Sequence, residues 1–158
     1  MDAAPPHSPT AGPAVHTTGP ALWNPNAAAL WSIIFTPLFG AWLHALNWRA
    51  LGDKDRETAS MNWVYASGAL LVLFLLVEVL VPGDSNKGDA ASRTIEFAFL
   101  LAWYFGSARD QVKFVKDELG GSFTRKHWRQ PLLIGVAGFA IYVVLMIAIA
   151  AVIGIRYL

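Results

Sequence analysis

Long apolar runs constrain this chain more than any other feature of its sequence. The clearest is residues 61–81, which has Trp63 and Tyr65 near its start and contains only Glu78 as a charged residue. A helix of about 20 apolar residues spans the roughly 30 Å hydrocarbon core of a bilayer. This run therefore predicts a membrane-spanning helix, and the aromatic residues at its start are typical of the membrane interface.

Three further segments, residues 27–46, 94–108 and 132–155, are also predominantly apolar. Over the whole chain, 55% of residues are hydrophobic and 15% are charged, whereas soluble domains carry about 25% charged residues. We therefore predict an all-α, polytopic membrane protein whose 158 residues provide four transmembrane helices.

The topology depends on the segment 27–46. Its length is sufficient for a crossing, but Pro37 lacks an amide proton and disfavours helical geometry in the residue before it. One interpretation is a kinked crossing helix in which Gly40 allows a neighbouring helix to approach closely. The alternative is a re-entrant or in-plane segment that is broken at Thr36 and Pro37.

The segment 94–108 is short for a crossing and carries Glu96 near its start. Helical spacing of apolar residues nevertheless continues as a stripe of Val112, Phe114, Val115 and Leu119, after which Gly120 and Gly121 end the pattern. We predict one long third helix over residues 92–119. Its first half would lie in lipid, and its second half would project into the cytoplasm.

A leader of residues 1–21 precedes these segments. It is rich in Pro, Ala and Thr and contains neither Lys nor Arg, so it does not resemble a cleavable secretory signal. Such a segment buries too little apolar surface to offset its chain entropy, so we expect it to be disordered. Residues 22–158 would then form the membrane domain.

Lysine and arginine are distributed unevenly between the connections. With four crossings, residues 47–60 and 109–130 together hold nine of them, and the other side holds Lys87, Arg93 and Arg156. Basic loops are retained in the cytoplasm, so we predict that these two connections are cytoplasmic and that both termini are periplasmic. If residues 27–46 are re-entrant, the chain crosses three times and the leader is cytoplasmic.

Two glutamates and one histidine lie within the predicted spans. Glu78 and Glu96 are each about three residues from a span end, and as a pair they could relay protons or hold a cation. The simpler interpretation places both at the interface, with Arg93 pairing with Glu96 one helical turn away. His44 is either a titrating switch or a neutral histidine that is hydrogen-bonded to Asn47 or to a neighbouring helix.

A basic and aromatic cluster falls at the predicted cytoplasmic surface. Its members are Lys113, Lys116, Arg125, Lys126, Trp128 and Arg129. Retention of positive charge in the cytoplasm and an interfacial tryptophan explain the cluster by themselves. The alternative is a docking site for anionic lipid or for a protein.

We find no motif that indicates catalysis, a cofactor or a metal site. The sequence has no cysteine, and it contains no zinc signature, phosphate-binding loop, dinucleotide fingerprint or nucleophile motif. A net charge of +1 argues against nucleic acid as a partner. We therefore expect a protein without enzyme activity, cofactor or metal, which contacts the lipid bilayer and either a protein partner or further copies of itself.

Two blocks of the sequence resemble a loose group of small, functionally uncharacterised membrane proteins of Gram-negative bacteria. The blocks are NPNAAALWSIIFTPLFGAWLHALNWRALG (24–52) and DQVKFVKDELGGSFTRKHWRQPL (110–132). The similarity lies in the Asn-Pro, Thr-Pro, Phe-Gly and Asn-Trp-Arg elements of the first block. In the second block it lies in the Gln-x-x-aromatic-Val-Lys run with a later Trp and Pro-Leu. The resemblance implies a bacterial inner-membrane location and brings no activity or catalytic residue.

These observations lead to the hypothesis of a non-enzymatic membrane protein that acts by binding another protein. It would serve as an accessory subunit of a membrane complex or as an immunity protein against a membrane-targeting toxin. The alternative is a small ion or proton transporter or channel that uses Glu78, Glu96 and His44.

Overall fold

The computed structural model describes residues 19–80 and 85–156, with the side chains of residues 78, 79, 85–89 and 153–156 excepted. A π-helical turn, Tyr104–Ala108, joins the third and fourth of five α-helices. In chain order the elements are β1 (Ala21–Leu22), α1 (Pro25–Leu51), α2 (Lys54–Leu80), α3 (Ser85–Trp103), α4 (Arg109–Asp117), β2 (Thr124–Arg125) and α5 (Arg129–Arg156). The prediction of an all-helical fold is confirmed.

Within the described residues, three helices are long and apolar enough to cross a membrane: α1, α2 over Lys54–Val77, and α5 over Arg129–Val152. The predicted span 132–155 falls inside α5. Residues 61–80 of the predicted span 61–81 fall inside α2, and residue 81 lies outside the described residues. The four-span count is not confirmed, because α3 is not among these three helices. The length and composition of the three apolar helices support a membrane protein.

α1 consists of two helical arms that fold back on each other at Thr36. This residue has φ 70° and ψ 162°, which lies outside helical geometry. His44 Nε2 is 3.3 Å from the carbonyl oxygen of Pro25, 19 positions earlier, whereas a straight helix would separate these residues by about 28 Å. Residues 25–35 and 37–51 are therefore the first and second arms of a helical hairpin.

The sequence explains where the hairpin breaks and where it ends. Pro37 removes a backbone donor and drives the preceding residue out of the α region, so Thr36 leaves the helix. At the start, the Asn24 side chain accepts hydrogen bonds from the amides of Asn26 and Ala27 over 3.0 and 3.4 Å. At the end, Gly52 adopts the left-handed conformation, with φ 78°, that closes many helices.

Two apolar clusters fix the hairpin. The first lies between the arms and contains Ala28, Phe39 and Leu43, with the aromatic rings of Trp31, Phe35 and Trp42 packed around them. The second joins the second arm to α3 and the π turn through Ala41, Trp103 and Ala108. Gly40 makes this packing possible, because a methyl group there would overlap Ser32 Oγ and lie 2.6 Å from the Trp103 ring.

β1 and β2 bring the segment before α1 beside the segment before α5. The two strands are parallel, with Ala21 opposite Thr124. The prediction of four crossings placed these segments on opposite sides of the membrane. The structure brings the two segments together through the fold-back at Thr36 and so does not confirm that placement.

Three predicted boundaries change. Residues 1–18 of the predicted leader lie outside the described residues, whereas Ala21 belongs to β1. The third helix begins at Ser85 rather than at residue 92. The long third helix is not confirmed as one regular element, because the π turn divides it and α4 ends at Asp117.

Candidate functional site

Buried polar side chains join the hairpin to α4. Asn47 Nδ2 donates to the carbonyl oxygen of Trp23 over 2.8 Å and to Gln111 Oε1 over 3.0 Å, while Asn47 Oδ1 accepts from the Trp23 amide. Gln111 Nε2 in turn donates to the carbonyl oxygen of His44 over 2.8 Å. Because His44, Asn47 and Gln111 are fully buried, these bonds hold three parts of the chain in one arrangement.

His44 is buried and contacts the first arm of the hairpin. A carbonyl oxygen can only accept, so His44 Nε2 carries the proton in its contact with Pro25. The imidazole packs edge-on against the Trp103 ring, with 5.6 Å between ring centroids. The partner of His44 is thus a neighbouring helical segment, the other arm of the hairpin, rather than Asn47. Asn47 instead bonds Trp23 and Gln111.

Charged and aromatic side chains surround this network. Arg49 Nε lies 2.6 Å from Glu57 Oε1, which ties the second arm of the hairpin to the start of α2. The guanidinium of Arg56 lies 4.7 Å from the Trp48 ring centroid and 5.3 Å from that of Phe114. These contacts attach α2 to the hairpin and to α4 by cation–π stacking as well as charge.

The predicted basic cluster is divided in the structure. Lys126 Nζ lies 4.3 Å from the Trp23 ring centroid, and Lys126 and Arg129 line a surface depression together with Trp23. Trp128 packs against the cluster between the hairpin arms. Three predicted members, Lys113, Lys116 and Arg125, are exposed and do not line the depression.

A cavity of about 740 Å³ lies between the turn of the hairpin and helices α2, α3 and α5. Pro37 and Glu96, which were predicted as site residues, line it, and so does Arg93. His44 does not line the cavity, so the structure does not bring it together with Glu96. Glu78 lies in α2, but its side chain is outside the described residues. The predicted pairing of Glu78 with Glu96 therefore lies outside the described residues as well.

Sequence reasoning missed Gln111 and the cavity. The predicted apolar stripe of this helix was Val112, Phe114, Val115 and Leu119. The buried face instead carries Ser107, Gln111 and Val115, which follow one another at intervals of four residues. This four-residue spacing could have predicted the buried face, but Gln111 is polar and was therefore not counted with the apolar residues.

Among residues 19–80 and 85–156, no group of three or more His, Asp or Glu side chains is placed to hold a metal ion. No protein-family model, curated protein or solved structure matches this chain.

Proposed function

We propose that this is a bacterial inner-membrane protein that crosses the bilayer three times and inserts α1 as a re-entrant hairpin. The crossings are α2, the helical segment 85–117, and α5. The hairpin arms measure about 17 and 22 Å, which is less than the roughly 30 Å of hydrocarbon. α2, α3 and α5 flank the cavity that the turn at Thr36 lines.

Charge supports the orientation. Lys126 stacks on Trp23 and Arg56 stacks on Phe114 of α4, so the two predicted cytoplasmic connections and the start of α1 form one basic side. Nine of the 12 Lys and Arg residues lie in those two connections. With the basic side in the cytoplasm, the residues before α1 are cytoplasmic as well, and α5 ends on the opposite side.

Cysteine labelling tests this topology without background, since the sequence contains no cysteine. Ala21, Asp55 and Ala90 are exposed and serve as single-cysteine positions. We expect an impermeant maleimide to label Ala90→Cys in intact spheroplasts, but to label Ala21→Cys and Asp55→Cys only after permeabilisation. A four-span protein would label at Ala21→Cys and Ala90→Cys from the same side, which would overturn the proposal.

For this membrane protein we propose a non-enzymatic role, namely binding another membrane protein as an accessory subunit or as an immunity protein. One observation carries this proposal. The outer face of α5, formed by Ala137, Ile141, Val144 and Ala148, is exposed along its length, with Ile141 62% and Val144 64% exposed. Small residues on a face that packs against none of the described residues allow another helix to approach closely.

Photocrosslinking within the native membrane tests the partner. A photoreactive residue at Val144 should yield one defined protein adduct, and Ala148→Leu should abolish it by blocking close approach. The same probe at Phe139, on the cavity side of α5, is the control and should not yield that adduct. If Val144 yields only lipid adducts, the proposed role is excluded.

The transporter alternative is less well supported. It requires Glu96 and His44 along one path, whereas Glu96 lines the cavity and His44 is enclosed in the polar network. Ion flux in proteoliposomes that disappears in Glu96→Gln would favour it over the binding role.

A further inference from the structure

We infer that the cavity is a binding site for one zwitterionic phospholipid. One acyl chain would fill the space beyond the hairpin turn, the phosphate would meet Arg93, and the ammonium group would meet Glu96. This site is separate from the outer face of α5 and does not depend on the proposed protein partner.

The cavity exists because the hairpin stops part-way through the helix bundle. Beyond Thr36, no element of the described chain fills the space between α2, α3 and α5, and about 740 Å³ remains. This volume lies within the range of roughly 300–1,000 Å³ that is usual for sites of small ligands. In a bilayer this depth is hydrocarbon, so a lipid chain is the molecule at hand to occupy it.

The walls suit an acyl chain. The hydroxyl groups of Ser32 and Ser67 donate to carbonyl oxygens of their own helices, Ala28 and Trp63, over 3.0 and 2.7 Å, so they present no unpaired donor to the interior. The remaining lining is largely aliphatic and aromatic. At its rim, Ile33 is 68% exposed and Phe97 62% exposed, so the cavity opens to the surrounding lipid.

Among the described side chains that line the cavity, Arg93 and Glu96 are the only charged ones. Arg93 lies about 24 Å from Arg109 along the helix, which places it near the membrane boundary opposite the basic side. The two residues are one helical turn apart, yet neither forms an ion pair with any residue that the structure describes.

Adjacent opposite charges match a zwitterionic headgroup. A guanidinium binds phosphate through charge-assisted hydrogen bonds, and a carboxylate binds an ammonium group in the same way. A headgroup that carries phosphate without an ammonium group would leave Glu96 facing a negative charge. Charge complementarity therefore selects phosphatidylethanolamine over phosphatidylglycerol.

Native mass spectrometry of the full-length, delipidated protein in mild detergent tests the inference. We expect phosphatidylethanolamine to be retained about tenfold more than phosphatidylglycerol with the same acyl chains. Gly138→Leu should lose both lipids, because Gly138 lines the cavity and a leucine side chain at this position would enter the open space. Ala137→Leu is the matched control on the outer face of α5 and should retain both lipids as the unchanged protein does.

The headgroup variants complete the test. Glu96→Gln should remove the preference between the two lipids, and Arg93→Gln should lower the retention of both. Equal retention of the two lipids by the unchanged protein, or full retention by a folded Gly138→Leu, would overturn the inference, as would a homodimer in place of bound lipid. If Gly138→Leu does not fold, the Glu96→Gln result decides alone, since this residue is exposed.

Discussion

The side-chain amide of Asn47 donates a 3.0 Å hydrogen bond to the side-chain oxygen of Gln111, 64 positions further along the chain. The same Asn47 side chain bonds both backbone polar groups of Trp23. One residue thus joins the segment before the hairpin, the second arm of the hairpin and α4. A hairpin that enters a membrane only part-way needs such a connection, because its two ends must stay together at one surface.

The two amides should be coupled energetically. Gln111→Leu leaves the carbonyl of His44 and one Asn47 donor unpaired in a buried site, so we expect the free energy of unfolding to fall by about 1–3 kcal/mol. Asn47→Leu should cost more, because it also leaves the backbone of Trp23 unpaired. The double variant should lose less than the sum of the two. Denaturant titration in detergent micelles measures all three variants.

The control for this cycle is Gln130→Leu, since Gln130 is an exposed glutamine and its replacement should change stability little. Simple additivity of the Asn47 and Gln111 replacements would contradict the coupling.

Gly40 and Gly138 form a matched pair of helical glycines. A Cβ at Gly40 would overlap Ser32 Oγ and lie 2.6 Å from the Trp103 ring, whereas at Gly138 it would meet nothing within 4 Å. We expect Gly40→Ala to lower the free energy of unfolding by about 1–3 kcal/mol through overpacking. Gly138→Ala should leave it unchanged or raise it slightly, since alanine favours the helix.

Thermal unfolding of the two purified variants measures this difference. Adding Ser32→Gly to Gly40→Ala should recover part of the loss by removing one of the two clashes. Equal stability of Gly40→Ala and Gly138→Ala would show that the arms of the hairpin do not approach each other at Gly40.

Much of this fold follows from local sequence. Residues 61–81 and 132–155 are long apolar runs, and they lie in α2 and α5 almost to their predicted ends. Pro37 also locates the break in α1, because the chemistry of proline acts on its immediate neighbours. The site residues Pro37 and Gly40 could likewise be found from residue type alone.

The consequence of the break could not be predicted in the same way. Proline removes one hydrogen bond but does not decide between a kink and a reversal. Contacts distant in sequence decide that, including Gln111 against His44 and Trp103 against the second arm. The cavity depends on the same reversal, since it forms only where the hairpin stops short between helices that are far apart in the chain.

Thr36 should carry backbone strain. Its φ of 70° and ψ of 162° fall in a region that is essentially reserved for glycine and that costs other residues on the order of 1–3 kcal/mol. We expect Thr36→Gly to raise the free energy of unfolding by about 1 kcal/mol, because relief of strain exceeds the entropy that glycine loses.

Thr94→Gly is the matched control, since Thr94 lies within α3 and is exposed. Glycine in a regular helix should lower the free energy of unfolding by about 0.5–1 kcal/mol. Chemical denaturation of both variants gives the comparison, and a loss of stability in Thr36→Gly as large as that in Thr94→Gly would argue against a reversal at this residue.

The pairing of β1 with β2 predicts a specific disulfide. Ala21 and Thr124 are opposite each other in the parallel pair, and adjacent strands lie about 4.8 Å apart, within the roughly 4.4–6.8 Å that a disulfide requires between Cα atoms. Ala21→Cys with Thr124→Cys should therefore crosslink within one chain under mild oxidation. Loss of reactivity toward a mass-tagged maleimide, restored by reductant, measures the bond.

Ala21→Cys with Ala90→Cys is the control and should keep both thiols reactive, because a re-entrant hairpin leaves these positions on opposite sides of the membrane. If the control pair crosslinks and the Ala21 and Thr124 pair does not, α1 crosses the bilayer.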